Sequence, residues 1–222
     1  DSAHSNFLHA RLESYRSDPQ WMERAKNAPD MRTRYHSLDK APKFFSTATD
    51  YGLRIGARRD VGDDGYYWRF THWLTPFYNL FKAPSDVPGI NGHSFAWVPI
   101  DDTHCWAITF TWSTMHPLTE ADIQAAEDFA GPAIGTSYYP ARNAENDYLI
   151  DRDAQNADSF TGIDGIQAQD MAVQESMGPI VDRTQEHLGT SDTAIIVVRR
   201  LLMRQAIEAG EGVDPYAAYH GE

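Results

Sequence analysis

At 222 residues, with 41% hydrophobic and 12% aromatic side chains, the chain can bury one large core or two small ones. A formal net charge of −13 leaves no basic footprint for nucleic acid, and no apolar run approaches the roughly 18 residues of a membrane-spanning helix. The single cysteine, Cys105, excludes an internal disulfide and any multi-cysteine metal centre within this chain, and fits a reducing cytoplasm.

In chain order, residues 1 to about 28 predict a helical region ending at Ala28-Pro29. It is broken at Asp18-Pro19, where a proline suits the first position of a new helix. From Phe44 to Arg59, β-branched and aromatic residues with Gly52 and Gly56 predict a strand, a bend and a second strand. Asp63-Asp64-Gly65 signals a turn into an aromatic strand from Tyr66 to Trp73. Residues 79–92, carrying Pro84, Pro88, Gly89 and Gly92, predict a loop. A hairpin follows, residues 93–100 and 105–112 around Asp101-Asp102-Thr103, with Cys105 expected as a small core residue.

Thr119 can cap a helix over 119–130, with Glu120 and Asp122 in its first turn. Residues 131–165 are polar and glycine-punctuated, an irregular stretch long enough to imply a function. A helix from Ile166 to Met177 stops at Gly178-Pro179. Another runs from a Ser191-Asp192 cap to Gly210, with an apolar stripe at 195, 198, 202 and 206, and the last dozen residues read as a tail. Asp182, Arg183 and Glu186 are expected to form an ion network. Strands in the middle with helices at both ends predict an α+β domain, a curved antiparallel sheet packed on long helices.

The chemistry gathers at the start of the chain, where Asp1, His4 and His9 fall within nine residues. Asp1 and His4 share a face on a helix, but His9 lies roughly 140° further round. A π-type widening, or unwinding of one turn, would bring both rings to one side, and such departures concentrate at functional sites. Two imidazoles and one distant carboxylate make the facial triad that holds non-haem Fe(II) with open positions. On spacing alone, the same two histidines also suit solvated or capping roles. The helix from Ile166 offers two carboxylates. Asp170 is favoured, because Met171, Ala172 and Val173 surround it and an acid in apolar company needs a partner or a metal. Glu175, near the helix end, can reach solvent or an arginine.

These residues carry a resemblance. Asp1-x-x-His4-x4-His9 resembles the mononuclear-iron motif of Rieske-type ring-hydroxylating oxygenases. The stretch from Gln169-Asp170 through Gln174-Glu175 to Gly189 is similar to a segment of the phthalate 4,5-dioxygenase group, which also includes aromatic O-demethylases. The likeness extends through Asp39–Phe45, Thr49–Gly52, Tyr66–Arg69 and Arg199–Leu202, and so spans nearly the whole chain.

The resemblance implies a helix-grip fold of the START/Bet v1-like type with a C-terminal helix. It implies His4, His9 and Asp170 as ligands of a mononuclear Fe(II), and Asp1 as the acid that bridges a ligand histidine to a Rieske cluster on a neighbouring subunit. The implied reaction uses O2 and electrons passed from NADH through a flavin/iron–sulfur reductase. It either dihydroxylates an aromatic carboxylate such as phthalate or removes a methyl group oxidatively, in a homotrimer or homohexamer. A Rieske [2Fe–2S] centre takes two Cys and two His, more than one cysteine allows. Residues 1–222 are therefore expected to be the catalytic portion of a larger subunit, with the cluster domain upstream. An aromatic carboxylate in an acidic protein needs a local cationic clamp, for which Arg32, Arg34 and Arg69 are candidates; ordinary pairing with a nearby aspartate is the alternative for each. Trp68, Trp73, Trp97 and Trp112 are candidate cavity walls. Two other classes compete, a non-catalytic helix-grip module for aromatic ligands and a zinc hydrolase on the same three ligands.

Overall fold

The computed structural model describes residues 3–16, 18–29, 31–81, 92–114 and 116–214. Asp1, the side chain of Arg32 and the end of the expected tail lie outside the described residues. Lys43–Thr49 (β1), Gly52–Asp60 (β2), Tyr66–Leu74 (β3), Tyr78–Phe81 (β4), Gly92–Pro99 (β5) and Cys105–Trp112 (β6) form one antiparallel sheet in sequence order. The architecture is α+β, as the sequence pattern predicts, and helix-grip-like, as the resemblance implies. Two sequence expectations here need correction. β4 lies partly in the segment read as a loop. It pairs Leu80 with His72 on one side and Ser94 on the other, and four residues are too short a run to display alternation. Cys105 is exposed, because it opens β6, the edge strand, beside the hairpin turn.

The pleat gives the sheet two unlike faces. Leu53, Ala57 and Arg59 of β2, Thr71 and Trp73 of β3 and Phe95 of β5 share the inner face, and all are buried. Phe45, Tyr66, Trp68, Phe70, Trp106 and Phe110 share the outer face, and all are exposed. There Trp68 and Phe70 stack with centroids 5.7 Å apart and cover Gly56, whose missing Cβ would lie 3.0 Å from Trp68. Parity also divides the four candidate tryptophans: Trp73 and Trp97 point inward, Trp68 and Trp112 outward.

Helices close the inner side. Met31–Leu38 (α3) brings His36 to Tyr67, ring centroids 6.1 Å apart. Glu120–Ala130 (α4) is held by the expected cap, a reciprocal box between Thr119 and Asp122, and sets Phe129 against Phe95 at 6.0 Å. Thr193–Gly210 (α7) runs along β1 and β2. Its covered side is turned by about one residue from the expected stripe. Ala194 is buried and Gln205 accepts a hydrogen bond from the Thr75 hydroxyl at 2.6 Å, whereas Ile195 and Ile207 are exposed. A polar anchor on the docked side is invisible to an apolar pattern.

The expected amino-terminal helix is in pieces. Ala3–Asn6 is a 3-10 turn, and two helices follow, Leu12–Tyr15 (α1) and Pro19–Lys26 (α2). The predicted break holds, with the Asp18 carboxylate accepting the Gln20 and Trp21 amides at 2.9 and 3.0 Å. The stretch 131–165 stays irregular through Ala144–Leu149, where Asp147, Tyr148 and Leu149 take positive φ, and adds one short helix, Arg152–Ala157 (α5).

Candidate metal centre

The histidine segment is one turn wound tight and then opened. The Phe7 and Leu8 amides both return to the His4 carbonyl at 2.8 Å, after which the chain leaves the helix. It is stitched instead to a distant loop. The Phe160 amide donates to the Ala10 carbonyl at 3.0 Å, the Leu12 amide to the Asp158 carbonyl at 2.7 Å, and the Arg11 guanidinium pairs with Asp158. This unwinding offsets the roughly 140° that an ideal helix would put between the rings. His4 and His9 meet edge to face, centroids 4.9 Å apart.

The carboxylate arrives on Ile166–Glu175 (α6), which starts after Gly165 at a φ of +91°. Ala168 of this helix packs with Tyr148 and Ile163 in a small core that Met171, Ala172 and Ile150 flank. That anchoring orients the helix and leaves Asp170 facing the histidines. His4 Nε2 and His9 Nε2 are 3.1 Å apart, and Asp170 Oδ1 lies 3.3 Å from the first and 3.4 Å from the second. A first-row metal bonded at about 2.0–2.2 Å separates neighbouring ligands by roughly 2.8–3.6 Å at octahedral to tetrahedral angles, so the triangle suits one ion. No other such set of His, Cys, Asp and Glu converges among the described residues.

Electrostatics agree with the geometry. Burial works against the Asp170 charge, but the facing His4 and His9 rings outweigh it and hold its carboxyl at about 2. The histidine side chains differ in exposure, 48% for His4 against 13% for His9, so the triangle opens to solvent on the His4 side. Glu175, the competing acid, is engaged elsewhere. It accepts a hydrogen bond from the Tyr148 hydroxyl, and burial together with this acid pushes that phenol up.

One residue of the site escaped the sequence reading. Gln169, next to Asp170, places Oε1 2.7 Å from His9 Nδ1 and donates from Nε2 to the Ile163 carbonyl at 2.7 Å. Its only signal was adjacency to the candidate acid.

The arginines belong to a second neighbourhood, between α3 and the inner face. Arg34 donates to the Tyr35 hydroxyl at 2.9 Å, and the Tyr35 ring lies 5.2 Å from Tyr67. Arg69 shares that face with Arg59, which is fully buried and donates from Nε to the Asp39 carbonyl at 3.0 Å. Burial lowers both guanidiniums, Arg59 to about 10 against the opposing charge of Asp39. Arg59 was also missed, although its parity with Leu53 and Ala57 along β2 marks it as inward-facing.

Comparison with known proteins identifies the family. Residues 1–218 match the family model described as LigXa C-terminal domain like. The chain is 32% identical over 237 residues to the 3-chlorobenzoate-3,4-dioxygenase oxygenase subunit of Comamonas testosteroni, covering 97% of this chain and 51% of that protein. It is 35% identical over 224 residues to the phthalate 4,5-dioxygenase oxygenase subunit of Pseudomonas putida, covering 95% of this chain and 48% of that protein. The chain thus spans about half the length of the curated relatives it matches. A helix-grip-like sheet, a His–His–Asp triangle and these matches lead to one conclusion: the chain belongs to the LigXa C-terminal domain-like family of aromatic ring-hydroxylating oxygenase catalytic domains.

Proposed function

We propose that this chain is the iron-binding catalytic portion of a Rieske non-haem iron oxygenase that dihydroxylates an aromatic carboxylate. The observation that carries the reading is the approach of His4 Nε2, His9 Nε2 and Asp170 Oδ1 to within 3.4 Å of one another. Two neutral imidazoles and one carboxylate are the donor set of mononuclear Fe(II) oxygenases, with positions left over for small ligands. The bound iron would supply the centre at which O2 is activated and reduced.

The protein's own groups do the rest. Asp170, ionised down to about pH 2, contributes the negative charge that balances a divalent ion. Arg69 on the inner face of β3, with Arg34 and Arg32 on α3, would hold the substrate carboxylate, to which a guanidinium presents paired donors. Both relatives carry the name of an aromatic carboxylate as substrate, which supports this class. Dihydroxylation of a ring consumes one O2, two electrons and two protons. The electrons would come from NADH through a reductase and a Rieske cluster. A chain with one cysteine cannot hold that cluster itself, so it would lie outside this sequence. Asp1 would link it to the iron across a subunit boundary in a homotrimer or homohexamer. No helix among the described residues is long and apolar enough to cross a membrane, which suits a cytoplasmic enzyme.

Metal analysis and turnover test the reading together. We expect one iron per chain, lost in His4→Ala and in His9→Ala but kept in His104→Ala, with product formation that needs both O2 and a reductant. Hydrolysis by a zinc-loaded protein with neither O2 nor reductant would overturn it. So would unchanged aromatic-ligand affinity in a chain that takes up no metal.

A further inference from the structure

The hydrogen bonds around Gln169 determine which nitrogen of His9 carries the hydrogen. The Ile163 carbonyl can only accept, so the Gln169 amide nitrogen, 2.7 Å away, is the end that faces it. The Gln169 oxygen therefore faces His9 Nδ1, also at 2.7 Å. That oxygen can only accept, so Nδ1 carries the hydrogen and the neutral ring leaves its Nε2 lone pair bare. This is the nitrogen 3.4 Å from Asp170 Oδ1 and 3.1 Å from His4 Nε2.

We propose that Gln169 is a positioning residue which locks His9 in the Nδ1–H tautomer and aims its Nε2 at the His4–Asp170 pair. Adjacent residues of α6 face the two sides of one imidazole, Gln169 accepting from Nδ1 and Asp170 lying across from Nε2. The brace is rigid because its far end is main chain. Ile163 is buried against Tyr148 and Ala168, and its own amide is held by Thr161 Oγ1 at 3.1 Å. Partners of this kind fix ring orientation and strengthen the ligand, and disturbing them typically costs about 10–100-fold in metal affinity. His4 has no comparable brace from α6, so the two histidines play unequal parts, one held ready and one half-exposed.

The inference rests on the iron-site reading for its purpose, but its first measurement needs no metal. Long-range nitrogen-15 NMR of the metal-free full chain should find neutral His9 as the Nδ1–H tautomer. Gln169→Leu, which removes the acceptor, should release His9 toward the Nε2–H form and weaken Co(II) binding by about 10–100-fold. Gln169→Glu, which can still accept from Nδ1, should keep the tautomer and stay within about tenfold of the wild-type affinity. A folded Gln169→Leu chain with unchanged tautomer and unchanged Co(II) affinity overturns the proposal. Should Gln169→Leu fail to fold, the glutamate variant decides, and loss of the Nδ1–H form there overturns it equally. If the tautomer responds as expected while His9→Ala leaves metal content intact, the iron-site reading fails and the role of Gln169 in orienting the ring stands.

Discussion

His9 and Asp170 lie 161 residues apart in the chain, yet His9 Nε2 and Asp170 Oδ1 approach to 3.4 Å, with both side chains largely withdrawn from solvent. Two segments with no sequence neighbourhood in common make one site. The carboxylate is the one anionic group among His4, His9 and Asp170, so Asp170→Asn, which keeps the shape, isolates its contribution. Metal affinity should fall by at least about tenfold, the lower end of what disturbing a ligand's partner alone costs. Calorimetric titration with Fe(II) under anaerobic conditions measures it, and an affinity within twofold of wild type would remove Asp170 from the ligand set.

Gly162 holds the backbone that the brace depends on. Its φ is +69°, and a Cβ there would lie 2.3 Å from the Asp151 carbonyl and 2.8 Å from Gln155 Cβ. Its amide is held by Ser159 Oγ at 2.9 Å, and its carbonyl accepts the Asp151 amide at 2.8 Å. Gly162→Ala must displace that backbone, and we expect a loss of about 1–3 kcal/mol in stability from strain of this kind. Metal affinity should weaken as well, because Ile163 moves with it. Urea melts and metal titration check the two effects, and an unaffected variant would contradict the geometry.

Sheet parity predicts opposite outcomes for residues of similar apolar character. Leu53 on the inner face of β2 is 1% exposed, and Leu53→Ala should cost about 2–5 kcal/mol through lost burial and a cavity. Tyr66 on the outer face of β3 is 55% exposed, and Tyr66→Ser should stay within about 1 kcal/mol. Chemical denaturation of the two variants side by side decides the matter, and comparable losses would mean that the outer face is covered.

The β5–β6 turn carries a pH-sensitive anchor. The Asp101 carboxylate accepts the Thr103 amide at 2.8 Å, lies 3.0 Å from the His104 ring and accepts the His104 amide at 2.8 Å, which holds its carboxyl at about 2. A carboxyl depressed below its unfolded value of about 3.9 stabilises the turn above about pH 4, and that contribution disappears as the pH falls toward about 2. Carbon-13 NMR titration of Asp101 should give a midpoint well under 3.9, moving in parallel with the Thr103 and His104 amides. A midpoint at the unfolded value would show that the turn does not use this carboxylate.

Much of the molecule can be read from its sequence because local physics decides it. The break at Asp18-Pro19, the Thr119 cap, the turn at Asp63-Asp64-Gly65, the β5–β6 hairpin and the α6 and α7 helices follow from short-range preferences, and each is present. His4, His9 and Asp170 stood out for the chemistry of their side chains, with the family resemblance adding the third ligand. What needed tertiary structure is what depends on distant partners. The helix that local pattern favours over the first residues gives way because residues 10–12 bond to 158–160, and that non-local pairing turns His9 toward His4. β4 exists because β3 and β5 flank it, and α7 docks one residue out of phase with its apolar stripe because Gln205 meets Thr75. The part played by Gln169 is of the same kind. A glutamine in a helix says nothing of a carbonyl six residues back or of an imidazole 160 residues away, and only the folded chain brings both to 2.7 Å.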